Sequence, residues 1–231
     1  MREAVVDGQA KVAVVRVTEG LEAGIPAGTL LQEGLIAAMK HVGQLYEEGE
    51  IFVPEMMVAA RAMTAALAVL KPHLVEEGVA SSGKVAIGTA QGDLHDIGKN
   101  LVAMMLEGSG YEIVDLGVDV PAEKFIEAIR DGANVVAMSA LLTTTMTNMQ
   151  LAIQAINDGA AVIAMSALLT TTMTNMQVAI QAITEAGLRD KVQIIIGGAP
   201  ITKQYADEIG ADGYAKDASS AVRVVKELLA S

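Results

Sequence analysis

No cysteine occurs among the 231 residues, which excludes a disulfide scaffold, a thiolate metal site and a cysteine nucleophile. A bound metal must therefore use imidazole, carboxylate or ligands that it brings with it. Histidine is scarce, with three in the chain, so each imidazole can be weighed singly. Basic residues are outnumbered, 16 Lys and Arg against 28 Asp and Glu, for a formal net charge of −12. A field of that sign repels phosphates at long range and argues against a nucleic-acid surface and against anionic membranes, leaving basic partners and neutral ligands. The N-terminal MREAVVDGQAKV carries charges throughout and has no apolar h-region. No stretch approaches the roughly 18 uninterrupted apolar residues that span a bilayer. A soluble, cytoplasmic protein is expected, although 52% of its residues are hydrophobic.

The length suits two small domains, each with its own core. From residue 1 to about 78 the pattern is helical, with apolar residues at three- and four-residue spacings: Leu30, Leu31, Leu35, Ala38, Met39, Val42 and Leu45. Breaks at Gly24-Ile25-Pro26, Gly49 to Pro54 and Lys71-Pro72 divide it into about four short helices, which pack naturally as a small bundle. Residues 79–84, VASSGK, read as a linker. Beyond them short β-branched runs alternate with helical stretches. Strands are predicted at Val85–Thr89, Glu112–Leu116, Asn134–Ser139, Ala161–Ser166 and Val192–Ile196, with a weak last one near Gly213-Tyr214. Helices are predicted over about 97–109, 122–131, 144–157, 171–186, 202–209 and 218–230. Near-continuously apolar strands separated by helices imply an α/β fold with a parallel sheet covered on both faces, where ligands bind beyond the carboxyl ends of the strands. The domain division expected is 1–80 and 81–231.

One unit is present twice. Residues 131–156, DGANVVAMSALLTTTMTNMQLAIQAI, recur at 158–183 as DGAAVIAMSALLTTTMTNMQVAIQAI, with 23 of 26 residues identical. The repeated piece is a whole βα unit, and so small a drift indicates a recent or engineered tandem duplication. Right-handed crossovers allow a sixth strand to be added without breaking the handedness of the chain. Alternatively one copy is displaced, left mobile or exchanged with a second protomer. The period does not continue on either side, which argues against a solenoid.

Residues 92–100, GDLHDIGKN, place His95 between two aspartates just after the first predicted strand. An imidazole beside a carboxylate is what a metal ligand needs, because the acid accepts the ring's other N–H, fixes its tautomer and raises its basicity. Asp93 is placed to do this if the loop is tight. Gly98 would let backbone and helix approach a large flat ligand, with Lys99-Asn100 in that helix's first turn. By chemistry alone, a lone loop histidine is more often a hydrogen-bonded surface or capping residue. A Gly-Gly pair such as Gly197-Gly198 is by itself more often a strand-to-helix turn.

Asp93-Leu94-His95-Asp96-Ile97-Gly98 matches the D-x-H-x-x-G motif of cobalamin-binding domains that bind their cofactor base-off with histidine on. That family also has an S-x-L motif after its third strand and a G-G pair after its fourth. This chain has Ser139-Ala140-Leu141, again Ser166-Ala167-Leu168, and Gly197-Gly198. The helical segment, with EEGEIFVPEMMVAARAM at 47–63, resembles the helical cap preceding this domain in small corrinoid proteins of methyltransferase systems and in methionine synthase. Apart from one inserted copy, the resemblance covers nearly the whole chain.

The resemblance implies a helical bundle at 1–80 followed by a flavodoxin-like (Rossmann-like) cobalamin-binding domain at 81–231, with one βα unit duplicated. It implies cobalamin as cofactor and His95 as the lower axial ligand to cobalt, with Asp93 on the ring's far nitrogen tuning proton uptake as cobalt changes oxidation state. The displaced nucleotide tail would enter a slot flanked by one S-x-L loop and by Gly197-Gly198, where a side chain would fill the space the tail needs; Ser139 or Ser166 would hydrogen-bond the buried base. Gly92, Leu94, Asp96, Ile97 and Gly98 belong to the same loop, and Leu141, Thr143 and Leu168 to the S-x-L loops. An extra strand would move one S-x-L loop from Gly197-Gly198 by about 4.8 Å, so one serine is expected to contact the tail, Ser139 being preferred.

The function implied is that of a methyl carrier. A substrate-specific methyltransferase methylates cob(I)alamin, and an acceptor methyltransferase takes the methyl from methylcob(III)alamin, with a reductive activation protein as a further partner. The chain is too short for a barrel binding donor or acceptor, so it reads as a carrier subunit rather than a complete enzyme. Two other classes compete. A cobalamin-dependent sensor would carry a basic DNA-binding element, which the acidic composition does not supply. A flavodoxin-like domain without corrinoid, or with its site disabled by the duplication, would use Asp93 and Asp96 as an acidic pocket for Mg²⁺ or phosphorylation. Met39, Met56, Met57 and Met63 are candidates to cap the corrin's upper face, although methionines at helical spacing are more often core. TTTMTN after each S-x-L is a polar cofactor-facing loop or a helix N-cap. Asp115, Asp119 and the Tyr214-Ala215 region are expected at the corrin rim, and His41 and His73 as ordinary polar residues.

Overall fold

The computed structural model describes residues 1–79, 81–140, 152, 154–167 and 169–230. The chain divides into two compact units, Met1–Ser82 with Met104–Glu112, and Gly83–Ala103 with Ile113–Ser231.

The first unit is built from α1 (Arg2–Val6), α2 (Ala10–Glu22), α3 and α4 (Val53–Glu76). Helix α3 starts at Ala27–Thr29, runs through a π-helical stretch at Leu30–Ile36 and continues as Ala37–Glu48. Its end is a left-handed Gly49, whose φ of 76° suits glycine, with Glu50 N–H donating to Leu45 O at 2.9 Å. The expected break at Lys71-Pro72 does not occur, and α4 runs through Pro72 to Glu76. An interior proline costs about 3 kcal/mol. Here it falls in the last turns, where burial of Leu70 and Leu74 offsets the lost bond. An unexpected break at Asp7-Gly8 separates α1 from α2 instead. Beyond α4, the Glu77 carboxylate accepts from Ala27 N–H at 2.7 Å and Gly28 N–H at 3.0 Å, closing the start of α3. These two backbone bonds, Ala27 first, hold its carboxyl below the ordinary glutamate value.

Helix α4 is the one helix among the described residues long and apolar enough to cross a membrane by length and composition. Met56, Ala59, Ala60, Ala62, Met63 and Ala66 on it are buried, as is Met39 on α3. These three methionines pack as core.

The second unit is a six-stranded sheet in the order β2-β1-β3-β4-β5-β6, with helices between the strands. The strands are β1 (Lys84–Ala90), β2 (Glu112–Val120), β3 (Val135–Ala140), β4 (Val162–Ala167), β5 (Gln193–Gly197) and β6 (Gly213–Ala215). The helices with described bounds are α5 (Ile97–Glu107), α6 (Ala122–Arg130), α7 (Thr170–Glu185), α8 (Lys203–Ile209) and α9 (Ala218–Leu229). From β1 through β6 by way of β3, β4 and β5, each neighbouring pair is parallel. The apolar runs VAIGTA, VVAM and QIII supply strands buried on both faces, with Ile163, Ile194, Ile196 and Phe125 in the core. Helix α9 starts on Asp217, whose carboxylate accepts from Ser220 N–H at 2.7 Å.

Strand β4 is the second copy, inserted between β3 and β5. Its register against β3 pairs equivalent residues, Val135 with Val162 and Ser139 with Ser166. The strand of the second copy is therefore placed one strand along from that of the first, in the same register. Across the sheet, Thr89, Ser139, Ser166 and Gly197 form one row on four successive strands.

Candidate cofactor site

The loop after β1 turns sharply, with Asp93 N–H donating to Ala90 O at 3.1 Å. Asp93 is buried, its side chain 3% exposed, and its Oδ1 accepts from His95 N–H at 2.9 Å and lies 2.7 Å from His95 Nδ1. An ionised carboxylate only accepts, so Nδ1 carries the proton and Nε2 carries the lone pair. The His95 side chain is 61% exposed, so the ring is fixed at one nitrogen and open elsewhere. Thr89, fully buried on β1, donates from Oγ1 to His95 O at 2.9 Å. Asp119 N–H donates to Asp93 O at 3.0 Å, and the Asp119 carboxylate accepts from Gly92 N–H at 2.7 Å. The histidine loop is thereby tied to the end of β2. Asp119 takes a positive φ of 53° to do so, a conformation that aspartate tolerates better than most residues.

Asp96 stands just ahead of α5, accepting from Asn100 N–H at 2.8 Å and, through Oδ2, from Asn100 Nδ2 at 2.9 Å. Asp93 and Asp96 thus serve separate partners, His95 and Asn100. Behind them the Lys99 side chain is 1% exposed, with Nζ 2.7 Å from Asp115 Oδ1 and 2.6 Å from Asn100 Oδ1. Flanking His95 in the sequence, Leu94 and Ile97 are exposed apolar side chains, and a Cβ built on Gly98 would meet no atom within 4 Å.

This donor set fits a metal that brings its own equatorial ligands within a flat macrocycle. One imidazole is presented, oriented by a buried carboxylate, from a segment that also carries exposed apolar side chains and an uncrowded glycine. Among the described residues no group of three or more His, Asp or Glu is arranged to hold a bare ion.

The other predicted residues divide between two places. Ser139, the last but one residue of β3, stands beside Thr89 of β1. Ser166 on β4 stands beside Gly197 on β5. At the glycine pair, a Cβ on Gly197 would lie 2.5 Å from Ala215 O, and one on Gly198 would lie 1.9 Å from Ala167 O. Backbone crowding between neighbouring strands requires glycine at both positions. Tyr214 lies on the edge strand β6, with its hydroxyl donating to Ile201 O at 3.1 Å, four strands from β1 in the sheet order. Thr172 caps α7, its hydroxyl donating to Leu169 O at 2.9 Å, which is the capping alternative for the second TTTMTN. Leu141, Thr143, Leu168 and the first TTTMTN lie outside the described residues. His41 is exposed, and His73 lies 3.7 Å from Glu76.

Models of the B12 binding domain match residues 1–71 and, for a second domain type, residues 83–161 and 150–223. The dimethylamine corrinoid protein 1 of Methanosarcina acetivorans is 40% identical over 223 residues, covering 95% of this chain and 92% of that protein. The chain belongs to the B12-binding corrinoid protein family. The trimethylamine corrinoid protein of Methanosarcina barkeri is 38% identical over 231 residues, 99% of this chain and 94% of that corrinoid protein. Among solved corrinoid structures, a cobalamin-binding protein from Desulfitobacterium hafniense aligns with TM-score 0.69 at 25% identity, covering 98% of this chain and 96% of its own. The methanol:cobalamin methyltransferase complex from Methanosarcina barkeri aligns with TM-score 0.69 at 27% identity, covering 99% and 78%.

Within this corrinoid-protein frame, Thr89 is the site residue that sequence reading missed. The signal was a lone hydroxyl in an otherwise apolar strand, VAIGTA, immediately before the histidine loop.

Proposed function

We propose that the chain is a corrinoid methyl carrier, with His95 as lower ligand to the cobalt of cobalamin. The observation carrying this reading is the His95–Asp93 pair, at 2.7 Å, with the carboxylate buried and the ring exposed. When bound, cobalamin supplies a cobalt centre that takes up and gives away a methyl group. The chain's own residues orient the imidazole. Asp93 holds the Nδ1 proton, so that Nε2 faces outward as the donor atom. Nε2 would be the atom offered to cobalt, with Asp93 keeping the ring paired at Nδ1. Thr89 and Asp119 hold the loop so that neither atom has to be reoriented in the cycle.

In this reading residues 1–80 form the helical cap and 81–231 the cobalamin-binding domain. The partners are a substrate-specific methyltransferase, an acceptor methyltransferase and a reductive activation protein, in the cytoplasm. A net charge of −12 suits basic surfaces on those partners. The relatives named for dimethylamine and trimethylamine make methylamines the first donors to test. The chain reconstituted with cobalamin is mixed with a methylamine methyltransferase and a thiol-methylating partner. Methylated thiol should form only when the chain is present. Absence of transfer from methylamines, methanol, methoxylated aromatics and betaines alike would refute the carrier reading.

A further inference from the structure

The row Thr89, Ser139, Ser166 and Gly197 contains one strand more than a chain with a single copy would have. Neighbouring strands are about 4.8 Å apart, so β1 and β5 stand about 14 Å apart instead of about 10 Å. The B12-binding match breaks at the same place. Its first piece, residues 83–161, holds His95 and Ser139, and its second, residues 150–223, holds Ser166 and Gly197-Gly198. Each copy of the repeat therefore stays with its own neighbour, the first against β1 and the second against β5. The turn at Gly198 is pressed onto the second copy, since a Cβ there would fall 1.9 Å from Ala167 O. The glycine pair is thus bordered by β4, with the whole of β3 standing between it and β1.

We propose that β4 uncouples the two halves of the corrinoid site, so that His95 holds the corrin while the nucleotide tail adds no affinity. The chain then takes a corrinoid lacking the tail as readily as cobalamin. The proposal rests on the carrier reading, which assigns the ring to His95 and the tail to an S-x-L loop and the glycine pair. A tether of fixed covalent length strengthens binding only where both ends seat together, and the gain disappears when the span exceeds the tether. The tail is such a tether, and the span has grown by one strand. Cobinamide, which has the ring and no nucleotide, arrives without a base that must first leave the cobalt.

The test titrates the full chain with cobinamide and with hydroxocobalamin, reading Kd and the absorption spectrum, for the parent and for His95→Ala. Cobinamide is expected to bind at least as tightly as cobalamin to within about threefold, roughly 0.7 kcal/mol, with a spectrum that changes in His95→Ala. A larger preference for cobalamin with a His95-dependent spectrum overturns the uncoupling and leaves the carrier reading intact. A spectrum indifferent to His95 with both corrinoids overturns the carrier reading and the proposal with it. A variant lacking residues 158–184 restores a single copy and should prefer cobalamin more strongly than the parent does. A folded deletion variant with the parent's ratio also overturns the proposal. If that variant does not fold, the parent's own ratio decides.

Discussion

Lys99 and Asp115 form an ion pair in which only one partner is out of water: the lysine side chain is 1% exposed and the aspartate 46%. Removing one member of a fully buried pair costs about 3–5 kcal/mol, because the surviving charge is stranded. The asymmetry here decides which removal is expensive. Lys99→Met deletes the buried charge, fills the space of the lysine stem and leaves a carboxylate that water can reach. Its main loss is the bond to Asn100 Oδ1, so the expected cost is about 1 kcal/mol. Asp115→Ala leaves the buried ammonium with Asn100 alone and also removes the acceptor for Gly117 N–H, so about 3 kcal/mol is expected. Once the lysine is gone, removing the aspartate should cost only its bond to Gly117 N–H, so the double variant should lose less than the two single variants together. Urea unfolding of the cofactor-free variants, followed by far-UV circular dichroism, measures all three. A larger loss in Lys99→Met than in Asp115→Ala would refute the reasoning.

Thr89→Val keeps the shape of the side chain and deletes the donor to His95 O; a loss of about 1–2 kcal/mol is expected, together with weaker corrinoid binding, both measurable by thermal shift and titration. Gly198→Ala combines a φ of +117° with a Cβ 1.9 Å from Ala167 O, so a loss of about 2–4 kcal/mol is expected by urea unfolding. Glu77 ionises below the ordinary glutamate value in the folded chain. Its contribution is complete above that value and fades as pH falls through the lowered folded one. The Tm difference between the parent and Glu77→Gln should therefore be largest near neutrality and shrink in acid; a gap that widens on acidification would contradict the assignment.

Much of the second unit was legible because its signals are local. The β-branched runs at Val85–Thr89 and Val192–Ile196 differ by at most one residue at either end from β1 and β5. Parallel pairing follows from strands apolar along their length. Pro72 was misread because a local rule met tertiary burial, with Leu70 and Leu74 holding the helix through it. Placement of the second copy was open in the sequence, since both copies have almost the same residues; the shared register with β3 is a property of the folded sheet. At the site, the Asp93–His95 pair is two residues apart and could be read directly. The Lys99–Asp115 pair spans 16 residues and two elements, and the crowding of Gly198 by Ala167 spans two strands. Such contacts exist only after the sheet has formed.

The central claim is that His95 is the protein's ligand to cobalt, oriented by Asp93. The most direct measurement is the absorption and electron paramagnetic resonance spectrum of the chain reconstituted with cobinamide, which has no nitrogen base of its own, in the Co(II) state, compared with His95→Ala. The account predicts nitrogen hyperfine splitting from the imidazole in the parent and its loss in the variant. Identical spectra from the two would contradict it.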